Sequence, residues 1–138
     1  MDKRELRWLL VLVAVFVIVN VITLSPLVPW QKWQLWSKPV PDKIVSVEFE
    51  DYEIRLPSGG VQIEADEFVE FVATSKDVTY GFGVFRQDGT MVFQMQVLPG
   101  YDNKITWKFD KAGSYDVRST EYSGPKHSGM YVPNAITV

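Results

Sequence analysis

Two polarity regimes divide the chain. From Trp8 to Ser25 it reads Trp-Leu-Leu-Val-Leu-Val-Ala-Val-Phe-Val-Ile-Val-Asn-Val-Ile-Thr-Leu-Ser without a single charge, and it stays apolar through Pro26-Leu27-Val28. This run is close to the ~20 apolar residues that a helix needs to cross a bilayer. It exceeds a signal-peptide core and lacks a small-x-small cleavage site, so the pattern predicts a retained single span. Asn20 is the one strongly polar residue inside it. It reads either as a tolerated or interhelically bonded amide, or as the mark of a face packed on a larger membrane partner. Lys3, Arg4 and Arg7 stand directly before the run. The positive-inside tendency then puts the N-terminus in the cytoplasm and everything after Pro26 outside.

From Ile44 the period changes to two. Val45, Val47 and Phe49 alternate with Ser46, Glu48 and Glu50; Met91, Phe93, Met95 and Val97 alternate against Gln94 and Gln96; Ile105, Trp107 and Phe109 alternate with Lys104, Thr106 and Lys108. Such alternation predicts strands with one buried face. Breakers separate them at Pro57-Ser58-Gly59-Gly60, Gln87-Asp88-Gly89-Thr90, Pro99-Gly100-Tyr101-Asp102-Asn103 and Lys111-Ala112-Gly113. Gln87-Asp88-Gly89 suits a tight hairpin, because Asp and Gly tolerate positive φ. Many short strands with regular turns predict an antiparallel sandwich or barrel. Between the two regimes Trp30, Trp33 and Trp36 recur at three-residue spacing among Pro26, Pro29, Pro39 and Pro41. They fit a short helical turn at headgroup level, with the indoles as membrane-interface anchors, followed by an extended exit. The expected organisation is a cytoplasmic N-terminus and transmembrane helix over 1–29, an interfacial linker over 30–43, and an extracytoplasmic β domain over 44–138.

Composition narrows the chemistry. In 138 residues there is room for one domain with a modest core. A balance of 14 basic and 17 acidic residues gives no basic field for nucleic acid. With no cysteine and one histidine there is no disulfide, zinc-thiolate or iron–sulfur site, and no triad or phosphate loop to build an enzyme on.

The most informative stretch runs from Phe109 to Met130: Phe-Asp-Lys-Ala-Gly-Ser-Tyr-Asp-Val-Arg-Ser-Thr-Glu-Tyr-Ser-Gly-Pro-Lys-His-Ser-Gly-Met. A strand leading into a long polar loop is how a copper-binding β-sandwich carries its ligands. The stretch resembles the copper loop of subunit II of the haem-copper oxidases, where F-x-x-x-G-x-Y is followed by C-x-E-Y-C-G-x-x-H-x-x-M. Glu121, Tyr122, Gly124, His127 and Met130 match, while Ser119 and Ser123 stand at the two cysteine positions. Thr74-Ser75-Lys76-Asp77-Val78-Thr79-Tyr80-Gly81-Phe82 is similar to the family's T-S-x-D-V-x-H-G-F, with Tyr80 at its other histidine ligand, and Val97-Leu98-Pro99-Gly100 resembles its V-x-P-G turn. The resemblance implies an all-β fold, a cupredoxin-like Greek-key β-sandwich or barrel, and the single N-terminal helix resembles the variant of the B-type oxidases.

In that family two thiolates bridge two copper ions, completed by the histidines, the methionine sulfur and the glutamate carbonyl. Serine hydroxyls stay protonated near neutral pH and are hard, weak donors, so Ser119 and Ser123 cannot hold a dicopper core. The resemblance thus implies a degenerate copper A site at Tyr80, Ser119, Glu121, Ser123, His127 and Met130, with no catalytic, cofactor-binding or metal residue in this chain. Glu121 is the candidate for docking on subunit I. His127 is expected to hydrogen-bond within the loop or to a partner, with Met130 packed beneath it; the competing reading gives the pair one copper ion with Glu121 or Tyr80. Tyr80 and Tyr122 read as loop-packing aromatics with satisfied hydroxyls. Relatives without this copper centre are quinol oxidases. The expected function is therefore that of a non-catalytic subunit II, an accessory part of a respiratory quinol:oxygen oxidoreductase, with haem and copper in the polytopic subunit I and quinol reaching the complex through the membrane. The alternatives are a subunit of a haem-copper nitric oxide reductase, or a membrane-tethered mononuclear copper-binding protein.

Overall fold

The computed structural model describes residues 2–25 and 38–138. The chain divides into two compact units, 1–38 and 39–138. The first contains one helix, α1 (Lys3–Leu24), which starts as the Asp2 N–H donates to the Glu5 carboxylate at 2.8 Å. Its 22 residues span roughly 33 Å at 1.5 Å per residue, and it is apolar enough to cross a membrane. The amide of Asn20 donates to the Phe16 carbonyl and the Thr23 hydroxyl to the Val19 carbonyl, both at 2.8 Å. Both polar side chains therefore bond their own helix one turn back, which fits the tolerated-amide reading of Asn20. The tryptophan anchors Trp30, Trp33 and Trp36 lie outside the described residues.

The second unit is a sandwich of nine strands: β1 (Lys43–Glu50), β2 (Glu53–Arg55), β3 (Val61–Gln62), β4 (Phe68–Ser75), β5 (Tyr80–Arg86), β6 (Met91–Val97), β7 (Asn103–Lys108), β8 (Ser114–Arg118) and β9 (Tyr131–Thr137). One sheet runs β2-β1-β4-β7, the other β3-β9-β8-β5-β6. The sheets are mixed, which corrects the purely antiparallel expectation. β1 pairs parallel to β4 through seven residues from Lys43 opposite Val69 to Phe49 opposite Ser75, and β3 pairs parallel to β9. The alternation of side chains reports which face is buried and is identical for either direction of pairing, so the pattern could not distinguish them.

Period two is realised where it was clearest. Val45, Val47 and Phe49 of β1 are buried, as are Phe93 and Val97 of β6, while Met91 at the start of β6 is exposed. β4 presents Val69, Phe71, Ala73 and Ser75 inward. The centre is aromatic: Phe71 packs against Phe82 at 5.4 Å, Phe93 at 5.6 Å and Phe109 at 6.4 Å between ring centroids. The β5–β6 hairpin closes with the Gly89 N–H on the Arg86 carbonyl at 2.9 Å and Gly89 at φ 86°, as Gln87-Asp88-Gly89 predicts.

Candidate functional site

The site assembles at the end of the sandwich where β5 begins and β8 ends. The Thr120 N–H donates to the Gly81 carbonyl at 3.4 Å, and the Gly81 N–H donates to the Ser119 hydroxyl at 3.3 Å. The loop after β8 is thereby laid across β5. A Cβ on Gly81 would fall 2.2 Å from the Thr120 Oγ1 and 2.6 Å from the Glu121 nitrogen, and one on Gly83 would meet the Thr120 methyl at 2.4 Å. Glycine at both positions is what lets the loop approach so closely. The loop closes on itself through Ser119 N–H to the Met130 carbonyl at 3.2 Å, and a 3₁₀ turn at His127–Gly129 ends with the Met130 N–H on the His127 carbonyl.

The structure brings Tyr80, Ser119, Glu121, Ser123, His127 and Met130 to this one end, each in a distinct state. The hydroxyls of Ser119 and Ser123 both donate to the Glu121 carbonyl, at 3.3 and 2.9 Å. That carbonyl is the backbone oxygen which the family pattern would offer to copper. Tyr80 is fully buried; its hydroxyl donates to the Asp77 carboxylate at 2.9 Å and accepts the Tyr52 N–H at 3.2 Å. Burial, with Asp77 beside it, raises the phenol above its ordinary value, so it remains protonated. Asp77 is held below the usual carboxylate range. Burial alone would raise it, but donation from the Val78 and Asp51 N–H groups and the Tyr80 hydroxyl prevails. Met130 is buried, as expected of a residue packed under the loop. His127 hydrogen-bonds within the loop through its backbone, N–H to the Gly124 carbonyl at 3.1 Å, whereas its Nδ1 is buried with no partner among the described residues. Glu121 is exposed. So is Tyr122, with 79% of its surface accessible and its ring 5.8 Å from that of His127. Tyr122 is thus a surface residue and not a packed one.

Against the two-thiolate copper pattern this donor set does not fit. The two hydroxyls at the bridging positions are neutral and already spend their hydrogens on the Glu121 carbonyl, and the Tyr80 phenol is sealed between Asp77 and Tyr52. No group of three or more His, Asp or Glu side chains is poised for a metal among the described residues.

Tyr52 was not singled out in the sequence. It sits with Asp51 in the turn between β1 and β2, and the two have φ of 62° and 48°. Its hydroxyl donates to the Ser123 carbonyl at 3.2 Å, and its ring meets Tyr80 edge-on at 6.3 Å. A signal exists in hindsight only: Asp-Tyr is a poor pair for a two-residue hairpin turn, where Asn-Gly is preferred.

No family model matches this chain, and no curated protein matches it by sequence. Solved structures do match in fold. One from a heme-copper terminal oxidase dimer is 22% identical with TM-score 0.57, covering 99% of this chain and 97% of that one. The periplasmic domain of subunit II of cytochrome oxidase from Bradyrhizobium japonicum is 17% identical with TM-score 0.56, covering 72% and 85%. Auracyanin B is 13% identical with TM-score 0.58, covering 72% and 91%. The fold is cupredoxin-like, preceded by one apolar helix.

Proposed function

We propose that this chain is the non-catalytic subunit II of a quinol-oxidising haem-copper oxygen reductase, in which the copper A centre has been given up and the cupredoxin-like domain remains as a scaffold on subunit I. The observation that carries the reading is the state of the ligand loop. Its spacing resembles the family's, its fold is that of subunit II structures, and hydroxyls bonded to the Glu121 carbonyl occupy both bridging positions. A loop that kept its path but lost three donors together cannot relay electrons by the thiolate route, so electrons enter the complex elsewhere, from membrane quinol. Helix α1 anchors the chain in the cell membrane with the N-terminus cytoplasmic and the domain outside, organised as 1–29, 30–43 and 44–138. Haem and copper reside in the polytopic partner, and exposed Glu121 is the docking contact on it.

Purification of the tagged full chain in mild detergent tests this. The expected result is copurification with a haem-rich polytopic subunit, quinol-dependent oxygen uptake, and no copper retained by this chain when it is separated from that copper-containing partner and loaded with copper. Isolation of the chain alone overturns it, as does one copper ion held tightly by this chain itself after separation from the partner, the latter in favour of a membrane-tethered copper-binding protein. Consumption of nitric oxide in place of oxygen assigns the complex to the reductases.

A further inference from the structure

Three loops meet at the ligand end of the sandwich, and one strained turn joins them. Asp51 and Tyr52 both occupy the left-handed region, which is uncommon for an aspartate and an outlier for a bulky aromatic. Such a conformation persists only where surrounding contacts over-determine it. Here the contacts are specific. The Asp51 N–H donates to Asp77 Oδ2 at 2.9 Å, the Tyr52 N–H donates to the Tyr80 hydroxyl at 3.2 Å, and that hydroxyl donates to the same Asp77 oxygen at 2.9 Å. The Tyr52 hydroxyl then reaches across to the Ser123 carbonyl. Next to it Gly124, at φ 134°, has no Cβ; one built there would stand 2.0 Å from the Tyr52 oxygen. Lys126 caps the Tyr52 ring at 6.0 Å. The turn at 51–52, the 76–79 loop and the 119–130 loop are therefore stitched through one tyrosine pair and one carboxylate.

We infer that Tyr52, Tyr80 and Asp77 form a lock that holds the 119–130 loop in its ligand-loop shape without metal, taking over the mechanical part of a metal's role while leaving nothing to conduct electrons. This rests on the proposal above only in supposing that no copper fills the site. The lock needs no metal insertion and no reduction of thiols for the loop to be formed. Positive φ at Tyr52 is retained because the side chain must start from that position to reach Ser123 and Gly124.

Hydrogen exchange on the full chain in detergent separates this from a turn that merely tolerates tyrosine. Tyr52→Phe keeps the ring and removes the bond to the Ser123 carbonyl; the amides of Ser119, His127 and Met130 are expected to exchange about tenfold faster. Tyr52→Gly relieves the turn, so β1–β2 amides should exchange as slowly as before or slower, while the same loop amides exchange faster still. Added Cu²⁺ or Zn²⁺ should leave the unmodified loop's exchange unchanged. Loop amides as protected in both variants as in the parent would overturn the inference, as would a tenfold slowing of parent loop exchange on adding either ion. Neither readout depends on which partner copurifies: unchanged loop amides in the variants overturn the lock alone, failed copurification overturns the oxidase assignment alone, and slowing by Cu²⁺ counts against both.

Discussion

Gly81 shows how a single residue decides where the loop runs. Alanine there would drive its Cβ into the Glu121 and Thr120 nitrogens at 2.6 and 2.7 Å, which are backbone and cannot rotate away. Gly81→Ala is expected to destabilise the domain by about 1–3 kcal/mol and to displace the 119–121 segment, checked by denaturant melts and by loop exchange. Asp116 is the other decisive single residue. It is buried, and its carboxylate accepts the Tyr131 hydroxyl at 2.7 Å, the Gln87 amide at 2.8 Å and the Asn134 N–H at 2.9 Å, tying β8 to the bulged β9 and to the β5–β6 turn. Burial would raise its pKa, but these donors outweigh burial and hold it below the usual range. A carboxylate depressed in the folded state contributes stability that is full above its unfolded pKa, near 4, and lost as pH falls through the folded value. Stability should therefore decline below about pH 4, and Asp116→Asn should flatten that decline, as measured by urea midpoints across pH.

Among the elements, the β1–β2 hairpin is the one most dependent on charge. Glu50 stands directly opposite Glu53, an unfavourable like-charge pair, and Glu48 stands opposite Arg55. Arg55 bridges all three carboxylates at 3.1, 2.6 and 3.4 Å, while Lys76 reaches Glu48 at 3.0 Å. These groups are solvent-accessible, so salt screens them. Arg55→Leu should lower the melting temperature more at about 10 mM than at about 500 mM salt, and a drop equal at both would refute the electrostatic account. β4 makes a different point about legibility. Val72 is half-buried on its outer face while Val69, Phe71 and Ala73 face inward, so apolar residues fall on both sides and the alternation is blurred. β6 is an edge strand and alternates from Phe93 to Val97, with Gln94 and Gln96 exposed, while at its start Met91 is exposed and Val92 partly buried.

At the scale of the whole molecule, the buried core lies entirely within 45–136, and α1 contributes no buried residue. A chain beginning at Pro39 is expected to be soluble, with the far-ultraviolet spectrum of a β protein and cooperative melting. Phe71→Ala in that background should cost about 3–5 kcal/mol, because its ring touches three other aromatics that cannot close the space. A domain of about 100 residues loses roughly 4–8 °C per kcal/mol, so this loss is readable by calorimetry.

The order of residues by itself determined the apolar helix, the strands with a polar outer face, the glycine turns, and the spacing of Ser119, Glu121, Ser123, His127 and Met130. These follow from local periodicity and turn chemistry, which neighbours along the chain suffice to express. Only the tertiary structure decided the parallel pairing of β1 with β4, the exposure of Tyr122, and the burial of Tyr80 between Asp77 and Tyr52. Those depend on which segments meet from far apart in sequence, β1 and β4 across 26 positions and Tyr52 with Tyr80 and Ser123 across 28 and 71, and no pattern read along the chain encodes such a contact.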